Sequence, residues 1–171
     1  MLKRLVDKIP INKGAVKRGQ KAPDFTLPDQ DDNPVRLYDV LERGPVMVIF
    51  YPGDFTPVCT AQLCSYRDQY AAFRDFGLEL LGISDDPVSK HQHFRTKQSL
   101  PFALLADPEH KVVDLYSGSS VFSSGRANRA NYIIGKDATV LYAHVETIST
   151  MHRTSEDILV ALGELKAAGK L

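Results

Sequence analysis

The chain has 171 residues, 43% hydrophobic and 25% charged, with 21 Lys and Arg balanced by 21 Asp and Glu. That make-up belongs to a globular protein with enough chain in one domain for a substantial core, and zero formal net charge gives bulk electrostatics no part in drawing it to nucleic acid or to a membrane surface. Two cysteines are too few for a disulfide-stapled domain, no secretory apolar segment opens the chain, and no apolar run is long enough to span a bilayer. A single domain over 1–171, in the reducing cytoplasm, is therefore expected.

Charge is unevenly spread: residues 1–21 hold seven Lys and Arg and one acid, Asp7. Residues 1–20 read as a basic N-terminal extension, a solvated tail or short helix with Leu2, Leu5, Val6 and Ile9 on one side. A transit peptide is the alternative, disfavoured because Ser and Arg are scarce there. Lys21 to Pro28 reads as extended, since each proline biases its predecessor away from helix, and Asp29 to Asn33 reads as a turn. Val35 to Leu37 is a possible short strand. Tyr38 to Glu42 is a helical turn ended by Gly44-Pro45. Val46 to Tyr51 is a buried strand. A helix over Ser65 to Phe76 follows, with apolar spacing through Leu63, Tyr66, Tyr70, Phe73 and Phe76, and Gly77 stops it.

Leu78 to Ser84 is the next buried strand. Asp86-Pro87 has the character of an N-cap and first helical residue for a helix from Val88 to about Lys97. Pro101 to Ala106 is a third strand, and Asp107-Pro108 repeats the cap-and-proline start. Ser117 to Ser124 reads as a mobile loop. Tyr132 to Ile134 and Thr139 to Val145 form a hairpin about Gly135-Lys136-Asp137. Thr154 to Asp157 has the form of a capping box for a last helix through Leu165 that ends before Gly169. Strands alternating with helices and then pairing as a hairpin predict an α/β protein with a central mixed β-sheet flanked by helices on both faces. The thioredoxin-like fold is the natural candidate.

Both cysteines, Cys59 and Cys64, lie in the stretch that leads from the first buried strand into the first long helix. A cysteine at such a junction meets free backbone N–H groups and the positive end of the helix dipole, an environment that favours thiolate. Cys59 is the candidate nucleophile. Inert packing is the competing reading, stronger for Cys64 than for Cys59.

Tyr51-Pro52-x-Asp54-x-Thr56-Pro57-x-Cys59-Thr60 resembles the active-site loop of the peroxiredoxins. A second cysteine five residues on, followed by Ser65-Tyr66-Arg67-Asp68, is similar to the bacterioferritin comigratory protein (peroxiredoxin Q) branch. Ala22-Pro23-Asp24-Phe25, Gly82-Ile83-Ser84-x-Asp86 with His91 and Phe94 beyond, Leu100-Pro101-Phe102-x-Leu104-Leu105-x-Asp107 and Arg129-Ala130-x-Tyr132-Ile133-Ile134 match further segments, in the family's order over residues 20–145. Two positions depart from the pattern. Gln62 stands where a glutamate is usual, and Gly135 stands where an acid commonly follows the arginine-bearing strand.

The resemblance implies a thiol-dependent peroxidase acting on hydrogen peroxide and organic hydroperoxides. Cys59 would attack one peroxide oxygen and become a sulfenic acid. Arg129 would bring a fixed positive charge and a fork of donors, Thr56 would hydrogen-bond peroxide oxygens, and Pro52 would shield the site from water. Cys64 would resolve the sulfenic acid as an intramolecular disulfide. In an intact helix a five-residue separation means about 7.5 Å of rise and about 140° of rotation, putting the two Cα atoms roughly 8–9 Å apart, whereas a disulfide needs about 4.4–6.8 Å. The first turns of that helix must therefore unwind. Thioredoxin or a glutaredoxin-like dithiol would reduce the product. No cofactor is implied, and a monomer or weak dimer is expected.

The rival readings are a redox sensor with little turnover, a metal site and a Cys-x-x-Cys exchanger. The last two are disfavoured by the Cys-x4-Cys spacing and the lack of a second ligand pair. His91 and His93 project from different helix faces and are expected to be solvated or capping. Arg126 is the rival of Arg129, and Arg153 is expected on the surface. Phe50, Tyr51 and Phe55 are expected to pack, with Phe55 able to line the peroxide entrance.

Overall fold

A computed structural model describes residues 16–119, 124–146, 148 and 150–171; the amphipathic stretch at Leu2 to Ile9 lies outside them, as does part of the Ser117–Ser124 loop. In chain order the elements are β1 (Thr26–Pro28), β2 (Pro34–Arg36), α1 (Leu37–Leu41), β3 (Val46–Phe50), α2 (Pro57–Asp68), α3 (Tyr70–Asp75), β4 (Glu79–Ser84), α4 (Val88–Gln98), β5 (Ala103–Ala106), α5 (Lys111–Tyr116), β6 (Ala130–Ile134), β7 (Val140–Val145) and α6 (Ser155–Ala167). Strands β5-β4-β3-β6-β7 form the main sheet, and β1 pairs with β2. Central β3 runs parallel to β4, with Val46 opposite Glu79, and antiparallel to β6, with Val46 opposite Ile134.

The alternation of side chains along β3 divides the core in two. Val46, Val48 and Phe50 join Leu81, Ile83 and Tyr132 on one face, under α1 and α5. Met47, Ile49 and Tyr51 join Leu80, Leu104 and Ile133 on the other, under Leu63 and Tyr66 of α2, Phe94 of α4 and Ile158 and Leu162 of α6. Burial on both faces explains why β3 is an uninterrupted apolar run. Cys59 belongs to the second core. This is the mixed sheet between helices that the sequence predicts, in a thioredoxin-like arrangement.

Several expected boundaries differ, three of them with consequences for the site or its supports. The helix predicted over Ser65 to Phe76 starts at Pro57 and is two helices, because Gln69 leaves helical geometry (φ −108°, ψ 13°). The apolar spacing runs through that break because both helices lean on one face: Phe73 meets Tyr66 edge-on with ring centres 6.0 Å apart. Asp86 does not cap α4. Pro87 is the N-cap residue, and the Asp86 carboxylate is drawn into the core of the loop network described below. Helix α5 begins at Lys111, beyond the expected Asp107-Pro108 start. Asp107 still serves that helix, accepting from the amides of Lys111, Val112 and Val113 at 2.8–3.0 Å, a carboxylate at the positive end of the dipole. The capping box at Thr154 and Asp157 forms with both reciprocal bonds. Ser117, at the start of the expected mobile loop, is buried.

Candidate active site

Thr56 is the N-cap residue of α2, and Pro57 opens the helix with its missing N–H where no partner is needed. Cys59 is thus the third helical residue, within the first turn. The Thr56 side chain makes no capping bond to the helix and donates instead to Gly53 O at 3.1 Å. The amides of Val58 and Cys59 are therefore first-turn donors outside the helical ladder. The chain reaches this point through Phe55 in the left-handed region (φ 63°), a costly conformation for a bulky residue. Phe55 is held there by Phe94, 4.9 Å away between ring centres, and by His93 at 5.4 Å. Pro52 and Thr56 are half-buried on the same loop, and Cys59 is fully buried.

Strand β6 supplies the opposing charge. Arg129, buried just before its first residue, donates through Nη2 to Cys59 Sγ at 3.3 Å and through Nη1 to Gln62 Oε1 at 2.5 Å. Gln62 lies one turn beyond Cys59, and its amide nitrogen donates to Tyr66 Oη at 3.2 Å. Tyr66 also accepts from Asn131 Nδ2 at 3.1 Å and donates to the Arg153 carbonyl at 2.7 Å. Burial pushes the Tyr66 hydroxyl up to about 12, against the pull of Gln62 and Asn131, so it remains a donor at neutral pH. The departure at Gln62 thus takes a definite form: a neutral amide spans guanidinium and phenol, using both its ends. Arg153, expected on the surface, is half-buried and places a guanidinium nitrogen 3.0 Å from His144 Nδ1. Its main-chain carbonyl terminates this chain of bonds.

Cys64 lies on the same unbroken helix as Cys59, and both thiols are free. Its Sγ faces Gln98 Oε1 at 3.5 Å, at the end of α4. Burial, with a smaller push from Asp68, outweighs the nearby Arg67 charge and raises this thiol above its ordinary value.

A second polar cluster underlies the loop, and the sequence reading misses most of it. His91 is fully buried, not solvated: its Nδ1 lies 2.7 Å from Asp54 Oδ2. Asp54 Oδ1 accepts from Tyr51 Oη at 2.6 Å, and the Asp54 amide donates to Asp86 Oδ2 at 2.7 Å. Asp86 also accepts from Ser84 Oγ, Lys90 Nζ and Arg126 Nη2 at 2.7–2.9 Å. Burial pushes Asp86 up, but the bonds from Lys90, the Asp54 amide and Ser84, with the Arg126 charge, together hold it below the ordinary carboxylate value. Arg126 lies against Gly53 so closely that a Cβ there would meet its Nη1 at 2.5 Å. Of the rival arginines, Arg129 meets the sulfur and Arg126 clamps the loop to Asp85 and Asp86. The missed signal was Asp54 itself, a carboxylate between two apolar segments that requires a buried partner. Among the described residues no group of three His, Cys, Asp or Glu side chains converges as a metal site. No helix among them is long and apolar enough to cross a membrane.

A buried thiol in the first turn of a helix, under a guanidinium carried by the neighbouring strand of a mixed sheet, defines a thioredoxin-like domain with one privileged cysteine. Residues 18–143 match the AhpC/TSA family, and the chain belongs to that family. Two curated relatives are the chloroplastic peroxiredoxin Q of Oryza sativa subsp. japonica, 40% identical over 131 residues (77% of this chain, 60% of the relative), and that of Arabidopsis thaliana, 40% identical over 125 residues (73% and 57%). The chain spans about 60% of the length of the curated relatives it matches. The crystal structure of peroxidoxin BcpB from Mycobacterium tuberculosis is similar at a TM-score of 0.76 and 31% identity, covering 89% of this chain and 97% of that one. The reduced 2-Cys peroxiredoxin of Plasmodium vivax shares the fold at a TM-score of 0.81 and 23% identity, covering 91% and 84%.

Proposed function

We propose that this chain is a thiol-dependent peroxidase that reduces hydrogen peroxide and organic hydroperoxides. The observation that carries the reading is the 3.3 Å approach of Arg129 Nη2 to Cys59 Sγ, two buried groups brought together across the fold. The Cys59 thiolate attacks one peroxide oxygen, the O–O bond breaks, and the leaving oxygen takes a proton to become water or alcohol. The Arg129 fork and the first-turn amides stabilise negative charge on sulfur and then on oxygen, without reorganising at the moment of reaction. Thr56 and Pro52 border the approach, with Thr56 able to bond peroxide oxygens and Pro52 limiting water.

The product is a Cys59 sulfenic acid. Cys64 sulfur attacks it, water leaves, and a Cys59–Cys64 disulfide forms once the first turns of α2 have unwound. A protein dithiol of the thioredoxin or glutaredoxin type then reduces the disulfide by exchange. The burial of Cys59 favours this order, because a bulky reductant cannot reach the sulfur while the helix is intact. We also propose a monomer or weak dimer, supported by how few large apolar side chains are exposed among the described residues. A cytoplasmic location is supported by the two free thiols; the plant relatives are named as chloroplastic.

The test is peroxide consumption with thioredoxin, thioredoxin reductase and NADPH. Turnover by the wild type that vanishes in Cys59→Ser is the expected result. A single oxidation with no turnover under any dithiol would overturn the enzyme reading in favour of a sensor. Cys64→Ser with unchanged turnover would remove Cys64 from the cycle.

A further inference from the structure

The loop 52–56 is fastened from below by groups that do not touch the sulfur. Asp54 is its anchor: its side chain and that of His91 have no solvent exposure, and both carboxylate oxygens are engaged, by Tyr51 Oη and His91 Nδ1. At 2.7 Å the second contact is a hydrogen bond between the ring nitrogen and the carboxyl group. His91 is on α4, Tyr51 directly follows β3, and Asp86, which holds the Asp54 amide, follows β4. The anchor thus ties the loop to three elements that need not move when α2 opens. Two residues later the chain enters α2 at Thr56, and five residues after Asp54 comes Cys59. The strained Phe55 (φ 63°) lies between anchor and helix, a conformation kept only where its surroundings over-determine it.

We propose that the buried Asp54–His91 pair, with Tyr51, is the latch that keeps the Cys59 loop folded, and that His91 is a positioning residue setting the fate of the oxidised cysteine. The proposal rests on the peroxidase reading for its second half only. With the latch closed, Cys59 sulfenic acid stays beneath Arg129, away from Cys64, and a second peroxide molecule can oxidise it to sulfinic acid, releasing water or alcohol. With the latch open, α2 unwinds and Cys64 sulfur displaces the sulfenic oxygen as water, giving the disulfide. The strength of the latch therefore partitions the sulfenic acid between damage and resolution.

The experiment compares His91→Leu, which leaves Asp54 with one partner, and His91→Gln, whose amide can still donate to it. In the reduced full-length protein, amide hydrogen exchange over residues 52–64 is expected to quicken on the order of tenfold in His91→Leu, with β3 and β4 unchanged and His91→Gln intermediate. After a pulse of excess hydrogen peroxide, the ratio of disulfide to sulfinate by intact-mass spectrometry is expected to rise by a similar factor. Should His91→Leu fail to fold, Tyr51→Phe, which deletes one bond to Asp54, is the deciding variant, with about threefold changes in the same directions. Unchanged exchange over 52–64, or exchange quickened uniformly across the sheet, overturns the latch. Quickened exchange with an unmoved product ratio overturns its role in partitioning. A wild type that forms neither product overturns the peroxidase reading while the exchange data still decide the latch.

Discussion

Two polar clusters lie on either side of the Cys59 loop, and they are built differently. At the sulfur, Arg129 is joined by the neutral side chains of Gln62, Tyr66 and Asn131. The cluster beneath the loop is built on carboxylates, with Asp54 against His91, Asp86 against Lys90 and Arg126, and Asp85 against Arg126 and His110. In the first, a guanidinium faces the Cys59 sulfur. In the second, the carboxylates are each engaged by a partner, and what they hold is backbone. Neutral side chains aim a guanidinium at the sulfur in one, and paired carboxylates fix the backbone in the other.

The comparison can be broken at its reactive end first. Arg129→Met removes the charge and both donors with little change of volume, and the second-order rate of peroxide with Cys59 should fall about a hundredfold, the usual loss for a buried donor at a developing anion; competition kinetics against a thiol of known rate would measure it. A smaller loss, within the error of wild type, would mean that the first-turn amides alone stabilise the thiolate.

At the rigid end, Asp86→Asn should instead cost stability, about 2 kcal/mol in urea unfolding, with far less effect on the sulfur than Arg129→Met. The sign with pH follows from the native carboxylate being held below its ordinary value. Its contribution is present above the unfolded carboxylate value and is lost as pH falls through the native one. The stability difference between wild type and variant should therefore shrink on acidification below about pH 4.

Gln62→Leu sharpens the contrast within the reactive cluster. It leaves the Arg129 charge but removes the amide that aims it, so a loss on the order of tenfold in the same competition assay is expected. The mildest effect belongs to Cys64. In a Cys59→Ser protein, its alkylation by iodoacetamide should rise with pH around a midpoint above that of an ordinary thiol, since burial raises it. A midpoint below the ordinary value would show Arg67 outweighing burial.

Much of this was legible in the chain itself. The apolar run at Val46 to Phe50, the hairpin about Gly135 to Asp137 and the capping box at Thr154 are local patterns, and each forms as read. The start of α2 was equally legible in Thr56-Pro57, an N-cap followed by a first-turn proline, but apolar spacing drew the expected boundary eight residues too late. His91 was read wrongly for a different reason. Helical spacing tells which face of α4 it occupies, not that this face meets Asp54, 37 positions away in sequence.

The sequence by itself determined the alternation of strands and helices, the face of each that is apolar, and the placing of a cysteine at a strand-to-helix junction. These follow from periodicity and end-group chemistry within a few residues. Only the tertiary structure decided how close Arg129 comes to the sulfur, what Gln62 bonds, and that Asp54 and His91 are buried as a pair. Those outcomes depend on the order and register of β3, β4 and β6 in one sheet, which bring Cys59 and Arg129 together across 70 residues of chain, a distance over which no local pattern carries.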